Sequence, residues 1–128
     1  MESKKAYQIL TSIYNEYIEL VFSGKIASHD ISEIQKEIQS IRESKGNKLL
    51  LDVRLLTERS IDTLYHVRRP ENATGKIALV DLPENEYMKS RCEDIAKNTL
   101  MELKWFSDID AAKAWLKSKE ESTQHFHL

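Results

Sequence analysis

Cysteine, glycine and proline are scarce in this chain, with one, three and two copies among 128 residues. The lone thiol, Cys92, excludes an internal disulfide framework. Three scattered glycines cannot form a phosphate-cradling loop. So few chain breakers leave little room for long irregular segments. An excess of one charge is also missing: 19 Lys and Arg face 21 Asp and Glu, a net of −2. That balance gives no general attraction to nucleic acid or to an anionic membrane. No apolar run approaches the ~20 residues that span a bilayer. Met1-Glu2-Ser3-Lys4-Lys5 lacks the apolar core of a secretory signal, so the default expectation is a cytoplasmic protein.

Metal and nucleophile patterns are equally thin. Of His29, His66, His125 and His127, only the last two are close in sequence, whereas zinc needs three or four ligands at fixed spacing. Cys92 falls on the apolar side of an expected helix, beside Glu93-Asp94, which disfavour a thiolate. Asp81 and Glu84 could in principle exchange protons, but acidic residues are common here and such pairs are expected to face solvent. The reading is therefore a non-enzyme with no metal and no cofactor.

What the chain does have is a regular alternation of apolar patterns. Tyr7 to Ile13 and Tyr17 to Phe22 are rich in Tyr, Ile, Val and Phe, predicting an antiparallel hairpin that turns near Asn15. Ile31, Ile34, Ile38 and Ile41 recur at helical spacing, with Asp30 or Ser28 as N-cap and Gly46 as the stop. Leu49 to Leu56 is a short, nearly unbroken apolar run, the mark of a strand buried on both faces. Ser60 can cap a helix carrying Ile61, Leu64, Tyr65 and Arg68, which Pro70 ends. Lys76 to Leu82 reads as a second interior strand, and Pro83 opens a turn into a helix with Met88, Cys92, Ile95, Ala96 and Thr99 inward. Leu100 to Phe106 is a last strand. Ser107-Asp108-Ile109-Asp110 is a capping box for a final helix burying Ile109, Ala112, Trp115 and Leu116.

The resulting order, β-β-α-β-α-β-α-β-α, predicts an α/β fold: a mixed sheet of about five strands, its leading hairpin antiparallel and the rest parallel, with four helices. Residues 1–119 form one domain, and the polar segment 120–128 is expected to fray. Trp105, Phe106 and Trp115 are expected to pack the last strand and helix against the sheet.

Three segments carry a family resemblance: Leu50-Leu51-Asp52-Val53-Arg54, Lys76-Ile77-Ala78-Leu79-Val80, and Phe106-Ser107-Asp108-Ile109-Asp110-Ala111-Ala112-Lys113-Ala114-Trp115-Leu116. In segment order, from Tyr7 to Leu116, the chain resembles the uncharacterised SpoIIAA-like branch of the STAS superfamily, which includes bacterial anti-sigma-factor antagonists. The resemblance implies a regulatory, protein-binding module. In antagonists an Asp-Ser-Ser/Thr-Gly turn presents a serine for phosphorylation. The comparable loop here is Thr57-Glu58-Arg59-Ser60-Ile61, so Ser60 falls near the phosphorylated position while the preceding Asp and following Gly are missing. The branch also has likeness to CRAL-TRIO lipid-binding domains, which implies, as the alternative function, a carrier or sensor of a lipophilic small molecule between sheet and helices.

From the residues themselves, the best candidate site is the loop after the first interior strand. Arg54, Thr57, Arg59 and Ser60 combine guanidinium groups with a helix start, which together attract phosphate or carboxylate. The plainer reading, favoured here, is that Ser60 caps its helix and the arginines pair with Asp52, Glu58 or Asp62. Tyr65, His66, Arg68 and Arg69 could extend the surface toward a protein partner, although basic residues near a helix end are expected on dipole grounds alone. A homodimer through a strand edge or helix face is compatible with the pattern.

Overall fold

The computed structural model describes residues 6–46, 48–57, 74–90, 93–94 and 100–118. Their core is a five-stranded sheet in the order β1-β2-β3-β4-β5, made of β1 Tyr7–Ile13, β2 Ile18–Gly24, β3 Lys48–Leu56, β4 Thr74–Val80 and β5 Leu100–Phe106. β1 pairs antiparallel with β2, and β2/β3, β3/β4 and β4/β5 are all parallel. This is the mixed sheet the alternation of patterns predicts. The hairpin closes where the Tyr14 N–H donates to the Tyr17 carbonyl at 3.0 Å, leaving Asn15 and Glu16 in the loop.

Two helices are defined among the described residues, α1 Ile31–Lys45 and α2 Ile109–Lys117. They lie on opposite faces of the sheet. Ile34 and Ile38 of α1 pack with Leu20, Phe22, Leu49, Val53, Ile77, Leu79 and Trp105. Ala112 and Leu116 of α2 pack with Tyr17, Leu50, Ala78 and Val80, with Phe106 and Trp115 alongside. Neighbouring residues of one strand thus feed different cores, as the two-residue period of a strand requires. Both faces of β3 and β4 are covered over most of their length, which is why their sequences read as nearly unbroken apolar runs.

Several boundaries differ from the expectation. Asp30 stands before α1 but does not cap it: its backbone is helical (φ −88°, ψ −13°) and no helix N–H reaches its side chain. The carboxylate instead accepts from the Ala27 N–H at 2.9 Å, closing the 3-10 turn Ser28–Asp30 that precedes the helix. Gly46 ends α1 as expected, at φ 131°, its N–H donating to the Arg42 carbonyl. β4 stops at Val80, two residues short of the expected end at Leu82. There the buried Asp81 carboxylate accepts from the Leu82 N–H at 2.7 Å and from Asn85 Nδ2 at 3.0 Å, turning the chain into the 3-10 segment Pro83–Met88. Asp81 is accordingly not the solvent-facing acid expected from composition. At α2 the cap is the extended Asp108 rather than Ser107, the first residue of the expected capping box; the Asp108 carboxylate accepts from the Asp110 N–H at 3.1 Å.

The expected helix after Ser60, most of the inward residues proposed for the helix after Pro83 (Cys92, Ile95, Ala96 and Thr99), and the segment 120–128 lie outside the described residues. The backbone is helical at Lys89, Ser90, Glu93 and Asp94.

Candidate functional site

The carboxyl end of β3 carries the described part of the expected site. Asp52, on the α2 face with Leu50, is 4% exposed, a costly position for a carboxylate unless it is paired. Arg54, two residues on and on the same face, pairs it twice: Nε to Oδ1 at 2.9 Å and Nη2 to Oδ2 at 2.8 Å. The Arg54 main-chain N–H also donates to Oδ1 at 3.1 Å. Such a fork-to-fork pair holds the guanidinium plane as well as neutralising charge. The hydrogen bond to Asp52 pushes the Arg54 guanidinium above its ordinary pKa, outweighing the opposing effect of burial, with Asp52 and Glu19 charges adding to it. The plainer reading of Arg54, a partner for Asp52, is thus what the structure shows for this arginine.

A bulge then changes which side chains face out. Val21 pairs with Asp52 but Ser23 pairs with Leu55, so β3 spends one more residue than β2 over this step. Without it Leu55 would share the inward face of Val53. With it, Leu56 enters the core and Leu55 turns out, 60% exposed. Sequence reading places Leu55 in a fully buried strand, and that expectation is corrected here. Nothing in the local pattern signals the bulge, because it is set by pairing with a strand about thirty residues earlier.

Thr57 follows, exposed, and is tied down at its base. Its N–H and Oγ1 both donate to the Gly24 carbonyl, at 2.7 and 3.2 Å. The ends of β2 and β3 are therefore locked together under the loop. Arg54 and Thr57 are brought to one sheet end, 36% of the Arg54 side chain being exposed. Arg59, Ser60, Tyr65 and Arg68, together with His66 and Arg69, lie outside the described residues.

The remaining candidates do not converge on this end. His29 sits before α1, its Nε2 3.5 Å from Asp30 Oδ1. Among the described residues no group of three or more His, Cys, Asp or Glu side chains is placed to hold a metal ion, and no helix is long and apolar enough to cross a membrane. Phe106 and Trp115 pack at 5.7 Å between centroids on the α2 face, whereas Trp105 is buried on the α1 face. Lysine pairing was missed altogether by the sequence reading: Lys48 and Lys76, register partners on β3 and β4, both reach the end of α2.

No known family model matches this sequence, and no curated protein matches it. Solved structures do. The chain is similar to an uncharacterised protein of the DUF3478 family with a SpoIIAA-like fold from Shewanella loihica PV-4, at 18% identity and a TM-score of 0.56, over 91% of this chain and 98% of that one. It is also similar to an anti-sigma factor antagonist from Mycobacterium paratuberculosis, at 11% identity and a TM-score of 0.58, over 92% of this chain and all of that one (100%). At these identities the likeness is one of fold, and the fold is SpoIIAA-like, as the order of segments in the sequence implies.

Proposed function

We propose that this chain is a non-catalytic regulatory module that holds a protein partner at the carboxyl end of β3. The observation that carries the reading is the pairing of an exposed Leu55 with an arginine already held in place by Asp52. Arginine is enriched among the residues that dominate interface energy, a guanidinium already held in place loses less freedom on binding, and the outward leucine beside it supplies apolar surface to bury. Thr57, hydrogen-bonded to Gly24, supplies a fixed polar rim. The position is also the one where ligands and partners collect on parallel sheets, beyond the carboxyl ends of strands. The fold shared with an anti-sigma factor antagonist supports a regulatory role.

A finer form of the proposal gives Ser60 a phosphorylation switch. A phosphate on Ser60 would add about two negative charges to a segment that begins three residues after Arg54 in the sequence and carries Arg59.

The test is quantitative affinity capture with the wild-type chain and with an Arg54→Ala, Leu55→Ser variant of unchanged circular dichroism. A partner retained by the wild type and lost by the variant is the expected result. Identical sets of captured proteins would overturn the assignment of this surface. Intact mass analysis of chain purified from its own cells, compared with Ser60→Ala, reads the switch directly.

A further inference from the structure

The two edges of the sheet are built differently. β5 carries Glu102 and Lys104, both exposed, along one edge. β1, at the other edge, is Tyr-Gln-Ile-Leu-Thr-Ser-Ile: seven residues without charge, proline or glycine, in unbroken register with β2. Sheet edges are normally blunted by charges, prolines, bulges or shortness, since an open strand recruits another. β1 has none of these. It also holds two of the most exposed large apolar side chains in the described structure, Leu10 at 61% and Ile13 at 57%.

Hydrogen-bond phase decides what the edge offers. The Lys25 N–H donates to the Ala6 carbonyl and the Tyr14 N–H to the Tyr17 carbonyl. Bonded pairs alternate along an antiparallel ladder, so the even-numbered residues of β1 turn their main-chain groups toward β2. Ile9, Thr11 and Ile13 turn theirs away, toward the open side. Side chains divide likewise: Tyr7 and Ile9 face the α1 core, and Gln8, Leu10 and Ser12 face the α2 side.

We propose that β1 pairs antiparallel with β1 of a second copy of this chain, centred on Leu10, joining the two sheets edge to edge. Leu10 is the midpoint of Tyr7–Ile13, so this centre alone overlaps the two strands along their whole length. It sets Ile9 against the partner's Thr11, and by symmetry the reverse, with both pairs exchanging outward N–H and C=O groups. The self-complementarity a two-fold contact needs is present at every step. Leu10 meets the partner's Leu10, Gln8 meets the partner's Ser12, and Ile13 meets the partner's Tyr7, an aromatic and β-branched pair of the kind that stabilises sheets. No like charges oppose one another. Both exposed apolar side chains gain a neighbour. The contact is separate from the Arg54–Leu55 surface, which lies two strands away, and it stands whether or not that surface binds a partner.

Leu10 would form a non-hydrogen-bonded pair with Cα atoms about 4.5 Å apart, within the range a disulfide spans. In a Cys92→Ser background, Leu10→Cys should cross-link to a covalent dimer under mild oxidation at micromolar protein, and Ser12→Cys, opposite the partner's Gln8, should not. Sedimentation should show a dimer for the wild type. Thr11→Pro removes an outward donor without touching the β2 ladder and should sediment as a folded monomer. If that variant unfolds, Leu10→Lys, which opposes two ammonium groups at the centre, should give the monomer instead. A wild-type monomer at all concentrations would overturn the proposal, as would a dimer in which Leu10→Cys cross-links no faster than Ser12→Cys. A monomer whose β1 instead takes up an extended peptide from another protein would overturn it too.

Discussion

Lys76 donates from Nζ to the main-chain carbonyl of Trp115 at 3.1 Å, from a side chain that is 3% exposed. The same ammonium lies 4.7 Å from the centre of the Trp115 ring, and Lys48 on the neighbouring strand donates to the Leu116 carbonyl at 3.1 Å. Two strand lysines therefore donate to carbonyls of the last turn of α2, Lys76 sharing that of Trp115 with the Ser118 N–H and Oγ, and place positive charge at the negative end of its dipole. The helix closing the α2 face is thus held electrostatically as well as by Ala112 and Leu116.

Replacing Lys76 by Met keeps most of the buried volume and removes the charge and donors. It should cost about 1–3 kcal/mol, read as a lowered urea midpoint with an unchanged slope. Lys76→Glu should cost more, because it reverses the sign beside the same carbonyls.

Asp52→Ala should destabilise the chain by about 1–3 kcal/mol, since it removes both side-chain bonds to Arg54 and the carboxylate oxygen that its N–H reaches. Asp52→Asn, which keeps one acceptor oxygen, should recover part of that loss. Chemical denaturation of both variants, together with the Arg54→Ala double variants, isolates the coupling.

Gly24 turns the chain at φ +88°, and a Cβ there would stand 2.3 Å from the Ala6 carbonyl oxygen. Its own carbonyl holds Thr57. Gly24→Ala should therefore cost about 2 kcal/mol or more, combining the disfavoured backbone region with displacement of β1. Thermal unfolding measures it, and amide exchange at Thr57 should accelerate.

Tyr17 packs among Leu50, Ala78 and Leu116, and burial raises its phenol above the usual pKa, Lys113 opposing. An acid harder to ionise when folded lends stability that is complete below its unfolded pKa, near 10, and is lost as pH rises through the folded value. Stability should fall from about pH 9.5 upward, and Tyr17→Phe should flatten that fall in urea midpoints measured across this range.

The described strands and the helices α1 and α2 were legible in the sequence because they rest on local periods: the isoleucines of α1, the apolar runs of β3 and β4, the polar segment 107–110 that starts α2. The mixed sheet followed from their alternation, since parallel neighbours need crossovers. Only the tertiary structure decided what those segments do at their ends. The bulge that exposes Leu55 comes from pairing with β2; the burial of Lys76 comes from a helix 39 residues further along the chain; the place of β1 at the edge of the described strands comes from the order of the sheet. Local pattern specifies how a segment is wound and which side is greasy. Register, charge partners and edges depend on distant segments meeting, and those meetings turn a readable fold into a surface.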